Sequence, residues 1–282
     1  MGRFQLAVLK VAEFIKETID KEKCMRISRN SSAVRGVVLG GFIAALLFLS
    51  SASAQTKPAP SGSDQQASLT LRLDRLQAVR DVQNLMSRYT YYQSAALQDE
   101  TIALFAQHTP GTRAEMLWGV YDGLDSVKKC YKLDHLQHSD LKKRAGVMQI
   151  DTLTTPVIQV AGDGKTAKGI WVSPGLDTTV ADGKASAKWA WYKYGADFVK
   201  EDGAWKIWHL HIYGIFLTDY HKSWAEGTQT KYDASQIALV GHQMHTDRPP
   251  TTSWAFSADT VFPDDQPSIP QPYETFNEKM AY

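Results

Sequence analysis

The chain reads as an α+β protein, and three observations carry that reading. An amphipathic helical pattern precedes the rest, paired Gly-containing turns punctuate the second half, and aromatic and β-branched residues alternate between those turns. From Ser68 to Tyr92, residues Leu73, Leu76, Val79, Val82, Leu85, Met86 and Tyr89 recur at helical spacing on one stripe, with Arg72, Asp74, Arg75, Arg80 and Asp81 off it. A short helix over Glu100–Gln107 comes next and is broken by Pro110-Gly111. Residues 115–121 predict a strand, and Leu124–Leu133 a third helix. Gln149–Ala161 predicts one strand and Lys165–Val172 its return across the Gly162-Asp163-Gly164 turn. Pro174-Gly175 is expected to interrupt the chain before another extended piece. Three helices on one side of a curved antiparallel sheet enclose a cone lined by alternate strand residues.

The densest chemistry lies in Lys188–Phe216, where four Trp, three Tyr, two Phe and two His surround Asp202-Gly203, a strong hairpin turn. His209, His211 and Tyr213 alternate and so share one face. Imidazoles there suit general acid–base work near neutral pH. A His-x-His pair can also chelate a metal, but nothing in the spacing of His221, His245 or Asp151 completes a ligand set, so no metal is assigned. The register of the turn decides the neighbours. A two-residue loop places Tyr192, Tyr194 and Phe198 beside the histidines; a three-residue loop places Trp191, Lys193 and Asp197 there. Asp151, ahead of a Thr-rich strand, would have a raised pKa inside an apolar cone and could act as a base.

The N-terminus reads as an address. Arg26, Arg29 and Arg35 precede the apolar run Val37–Leu49 and the small residues Ala52-Ser53-Ala54, which predicts a signal peptide cleaved after Ala54 and a periplasmic or secreted protein. Residues 1–24 then form an upstream extension before Met25, and residues 55–67, rich in Gln, Ser, Pro and Gly, a linker to a domain over 68–226. Removing residues 1–54 leaves 23 Lys+Arg against 26 Asp+Glu, a net charge of −3 that argues against nucleic acid as a partner. Cys130 would remain alone, without a possible intrachain disulfide, and reads as a packing residue. The segment 227–282 contains six of the eleven prolines and six aromatics after Asp247. That composition predicts an ordered extension wrapping the domain or a partner subunit in a homo-oligomer, a dimer or trimer.

The order of motifs resembles the SnoaL-like branch of the nuclear transport factor 2 (NTF2)-like superfamily. The matching pieces are Arg88-Tyr89-Thr90-Tyr91, Leu104-Phe105-Ala106, Trp118 with Gly123, residues 153–171 and the hairpin ending Asp202-Gly203-Ala204-Trp205. The resemblance implies an NTF2-like cone and, for its enzymes, acid–base chemistry without a metal or organic cofactor. Two departures stand out: Ser94 takes the place of a common Asp after the first helix, and Asp151 that of a common His before the Leu-Thr-x-Pro segment. By family analogy with cofactor-independent diarylpropane lyases, the expected activity is C–C cleavage or elimination on a hydrophobic, phenolic small molecule. A dehydratase or isomerase acting on a polycyclic substrate, and a non-catalytic binding protein, are the alternatives. The expected catalytic set is His209, His211, Asp151, Tyr89 and Tyr92. Tyr91, Trp118, Trp171, Trp191, Lys193, Tyr194 and Tyr213 are expected to bind substrate.

Overall fold

The computed structural model describes residues 62–134, 145–181, 183–226, 244–262 and 265–282. The expected signal peptide, the first part of the linker and the helical stretch expected near 235–241 lie outside these residues. Helix α1 spans Gly62–Ser94, α2 Gln98–Ala103 and α3 Leu124–Lys129, the last running into a π-helical turn over Cys130–Asp134. Seven strands run in chain order: β1 Arg113–Met116, β2 Gly119–Asp122, β3 Met148–Asp151, β4 Thr154–Val160, β5 Thr166–Ala181, β6 Lys184–Glu201 and β7 Ala204–Asp219. They form one curved sheet in the order β2-β1-β7-β6-β5-β3, with β4 also on β5. This is the expected α+β cone, although the sheet is mixed, because β1 runs parallel to β7.

Several boundaries differ from the periodicity. The expected strand 115–121 is a tight pair, β1 and β2, closed by Met116↔Gly119 pairing. The expected strand 149–161 is two strands, because Thr155 has φ 48° before Pro156 and the pairing with β5 shifts between Thr154 and Val157. Pro174-Gly175 does not break β5. The Pro174 carbonyl accepts from Thr152 at the gap between β3 and β4, so its missing N–H falls where no strand needs a donor. Helix α1 begins before Ser68, and only part of its apolar stripe is covered. Val82, Leu85, Met86 and Tyr89 are buried, whereas Leu73 and Leu76 remain 66% and 69% exposed.

The core lies between the helices and one face of the sheet. Val82, Met86 and Tyr89 of α1 meet Phe105, Tyr131 and Cys130, and Trp171, Tyr194, Phe198, Ile207 and Leu210 of the strands. Phe105, Tyr131 and Tyr194 surround the Tyr89 ring at centroid distances of 6.3–6.4 Å in edge-on geometry, or make tilted contact with one another.

The residues after 244 pack back onto this domain. Arg248 pairs with Asp122, the backbone of Ala255 and Phe256 bonds to β7 at Gly214 and Ile215, and Tyr273 and Glu274 accept from Gly162 and Asp163. Two strand glycines make room. A Cβ at Gly214 would lie 2.5 Å from the Trp254 ring, and one at Gly195 would lie 2.9 Å from the Tyr282 ring.

The segment after α2 is anchored on the tip of the β6–β7 hairpin. The Glu201 carboxylate accepts from the backbone N–H groups of Gln107, His108 and Thr109 at 2.6–3.0 Å. Burial pushes its pKa up, but the hydrogen bonds with Thr109, Gln107 and His108 outweigh that and hold it at about 2. The depressed value means that the stabilisation is present above the ordinary carboxylate range and is lost as pH falls towards about 2. Replacing Glu201 by Ala is expected to cost about 2 kcal/mol at pH 7, the usual worth of hydrogen bonds to a charged group, with a smaller difference at acid pH. Urea unfolding at several pH values measures it, and a pH-independent cost would refute the assignment.

Candidate functional site

The hairpin register combines the two expected arrangements. Asp202 and Gly203 have φ 50° and 80°, which a two-residue type I′ loop requires, and Glu201 pairs with Ala204. The pairing then slips, from Phe198↔Ile207 to Asp197↔His209, leaving Trp208 as the extra residue of a β-bulge. Beyond the bulge, Lys193 pairs with Tyr213 and Asp197 with His209, so the face expected from a three-residue loop results from a two-residue loop.

Pairing across the sheet sorts the expected site residues into two groups. Lys168, Lys193, Asp197, His209, His211 and Tyr213 share the face away from the helices, with Trp191. Trp171, Tyr194 and Tyr192 face the helices, and Asp151 joins them through its pairing with Gly175. The histidines and Asp151 therefore do not converge on one pocket, as the sequence had led us to expect. The sheet lies between them.

On the outer face, Asp197 is fully buried. Its carboxylate accepts from Lys168 Nζ at 2.5 Å and from the Tyr282 backbone N–H at 3.0 Å, and it bonds His209 Nδ1 at 2.8 Å. Lys168 also donates to the Met280 carbonyl and lies 3.7 Å from the centroid of the Tyr282 ring. Burial pulls the lysine pKa down, and Asp197 opposes that shift. Beside it, His211 Nε2 is 3.2 Å from Glu115 and 3.0 Å from Thr252, while Tyr213 stacks on the imidazole at 3.7 Å. Burial raises the Glu115 pKa, but the hydrogen bond and charge of His211, with Thr251, bring it below the usual range. Each charged group here has a partner, and residues 251–252 and 280–282 cover the cluster. This arrangement fixes the chain's last segment. Trp191 stacks on Phe216 at 5.9 Å, and Lys193 lies 5.6 Å from the Phe262 ring.

On the inner face the balance is different. A cavity of about 330 Å³ opens between α1 and β3, lined by Ser87, Thr90, Tyr91 and Ser94 of the helix and by Asp151 and Leu153 across from it. Asp151 is 8% exposed, and its Oδ1 is buried without a hydrogen-bond partner. Its other oxygen accepts from Gln149 at 3.2 Å. Burial, reinforced by the neighbouring Asp177 charge, pushes the Asp151 pKa up to about 7, against the opposing Gln149 bond. A carboxyl group poised there can take or return a proton near neutrality.

The remaining expected residues distribute around this cavity. Tyr91 is 77% exposed at its rim. Tyr89 lies behind it, bonded through its hydroxyl to Tyr131 at 2.9 Å, and burial keeps its pKa well above the ordinary phenol value. Tyr92 packs against the core, and Tyr194 is buried beside Tyr89. Trp171 donates to Gln83 of α1 at 3.0 Å. Trp118 is at the β1–β2 turn and donates to the Tyr121 hydroxyl at 2.8 Å, outside the cavity lining. Sequence reasoning missed Ser87, Thr90 and Asp177. The first two lie on α1 within two turns before Ser94 and were legible in principle; Asp177 required the uninterrupted β5. Among the described residues, no group of three His, Cys, Asp or Glu side chains is arranged to hold a metal ion.

Removing one partner from the buried Lys168–Asp197 pair strands the other charge. Lys168→Met is expected to destabilise the fold by about 3–5 kcal/mol. Denaturant unfolding would show it, and a loss below about 1 kcal/mol would mean that the pair is not buried as described.

Residues 74–211 match the family described as the SnoaL-like domain. No curated protein sequence matches the chain significantly. Among solved structures, a candidate scytalone dehydratase from Novosphingobium aromaticivorans DSM 12444 is similar at 18% identity and TM-score 0.41, over 53% of this chain and 92% of that one. The hexachlorocyclohexane dehydrochlorinase LinA-type3 from Novosphingobium barchaimii LL02 is similar at 15% identity and TM-score 0.43, over 54% and 96%. A candidate dehydratase of the NTF2-like family from Streptomyces avermitilis is similar at 15% identity and TM-score 0.40, over 49% and 97%.

Proposed function

Residues 74–211 form a SnoaL-like domain of the NTF2-like superfamily, and on that premise we propose that the protein is a cofactor-independent lyase that uses Asp151 as its proton-transfer group. The observation that carries the reading is one side chain: a buried carboxylate with an unpartnered oxygen and a pKa of about 7, at the wall of a cavity of about 330 Å³. In this reading Asp151 removes a proton from the substrate and so starts an elimination or C–C cleavage. The hydroxyl oxygens of Ser87 and Thr90, whose protons go to the Gln83 and Ser87 carbonyls, accept from substrate hydroxyl groups across the cavity, beside Ser94. Tyr91 at the rim and Leu153 on the strand side offer apolar surface to a phenolic ring, which supports a hydrophobic aromatic substrate. Tyr89, kept protonated by burial, supplies polarity behind the lining without ionising. The histidines hold the outer face and take no part in proton transfer. The basic, apolar and small-residue order of the N-terminal sequence supports export to the periplasm or beyond.

A panel of phenolic diarylpropane-type dimers tests the reading. Asp151→Asn is expected to lower turnover by about 10²–10⁴-fold, the usual worth of a general base, with the fold intact by circular dichroism. Because the base must be ionised, wild-type kcat/KM is expected to rise with pH through about 7 and to fall away below it. Full activity in Asp151→Asn would overturn the assignment. Trp fluorescence quenching by the panel with every compound recovered unchanged would replace it with a binding protein.

A further inference from the structure

Gly175 lies at the centre of an arrangement that the proposed base does not account for by itself. A Cβ built on Gly175 would come within 2.6 Å of Asp151 Oδ1, 3.0 Å of the Ala190 carbonyl oxygen and 3.1 Å of the Ile150 carbonyl oxygen. The Asp151 carboxylate therefore occupies the space that any side chain at position 175 would need. Alternation along β5 places Ser173 and Asp177 on the same face, one on each side of that slot. Each contributes a buried oxygen without a hydrogen-bond partner, Ser173 Oγ and Asp177 Oδ1, beside the unpartnered Asp151 Oδ1. Ser173 is fully buried. Unsatisfied oxygens on both sides of one glycine are costly, and a proton held between the neighbouring carboxyl groups of Asp151 and Asp177 relieves part of that cost.

The surroundings say which charges are compensated. Burial raises the Asp177 pKa, and Lys188, which pairs with it across the strand, offsets part of that shift. Gln149 is the neutral partner of Asp151 on β3. The phenols of Tyr89, Tyr192 and Tyr194 face the same region; burial keeps them protonated far above neutral pH, and the carboxylate charges add to that shift. Lys188 thus offsets the charge of Asp177, and a single proton completes the balance for the two carboxylates.

We propose that Asp177 is the positioning partner of Asp151: Asp151 fills the Gly175 slot, Asp177 flanks it, and the two carboxylates hold protons as one unit, so that a proton taken by Asp151 stays in the site. This deepens the lyase reading and rests on it for its catalytic meaning. The pair lets one group act as base and then as acid: the proton taken from the substrate forms an O–H bond on Asp151, and that bond breaks when the proton passes to the departing group. Lys188 sets the pair's charge from the far side of Asp177.

The test is a carboxyl ¹³C NMR titration of the whole protein labelled at Asp, without substrate, with the Asp151 resonance assigned by its loss in Asp151→Asn. Removing the like charge in Asp177→Asn is expected to lower the Asp151 midpoint by about one pH unit or more, and removing the cation in Lys188→Gln to raise it. The low-pH limb of the turnover profile is expected to move in the same directions. A merely structural Asp177 would lower the melting temperature and leave the midpoint in place. An unchanged Asp151 midpoint in Asp177→Asn overturns the proposal. If that variant does not fold, a midpoint that fails to rise in Lys188→Gln overturns it instead. Shifted midpoints with no turnover on the phenolic panel would sink the lyase reading and leave the carboxylate pair standing.

Discussion

The bulge residue Trp208 of β7 sets the relation between β6 and β7 below the turn, and the chemistry of both sheet faces depends on it. Without that bulge the pairing at the turn would continue unshifted, and the side chains of β7 beyond it would exchange faces relative to β6. Asp197 would lose His209, and Leu210 would leave the core it shares with Ala196 and Ala114. The bulge is held by contacts outside the ladder. The Trp208 indole donates to the Pro110 carbonyl at 2.9 Å, and its ring stacks on His209 and tilts against Phe276. The residue that breaks the ladder thus ties the strand to the loop after α2 and to the final segment.

The two faces handle buried charge in opposite ways. On the outer face, Lys168, Asp197, His209, Glu115 and His211 satisfy one another and the backbone of the last residues. Such a network costs desolvation and returns it only when every member is paired, so it specifies one position for the covering segment more than it adds stability. On the inner face, one oxygen each of Asp151, Ser173 and Asp177 lacks a partner, and Asp151 lines a cavity. Unpaired polar atoms weigh against stability, and they gather where proton chemistry would use them.

The α+β class, the positions of most elements and the aromatic character of the hairpin were legible in the sequence, because periodicity and turn chemistry are local. The departure at Asp151 was also visible as a carboxylate where the resembling family commonly has His. The grouping of site residues was not legible. Asp202-Gly203 correctly indicates a two-residue turn, yet the face of Lys193 depends on a bulge a few residues further on, held by Pro110 and Phe276, which are distant in sequence. Asp177 was hidden for a related reason. Pro174 reads as a strand breaker until the gap between β3 and β4 removes the need for its N–H. Likewise, Leu73 and Leu76 continue the apolar stripe of α1, but the stripe does not reveal where the covering sheet ends.

The pleated sheet also acts as a partition. Neighbouring residues of β6 alternate between its two sides: Lys193 and Asp197 belong to the clamp on the terminal segment, while Tyr192 and Tyr194 belong to the cone. Backbone alone separates them, so two adjacent codons answer to different selective demands. The core side can be repacked while the clamp keeps the architecture, and a library restricted to even-numbered positions of this stretch of β6 would vary the cone's interior with little effect on the outer face.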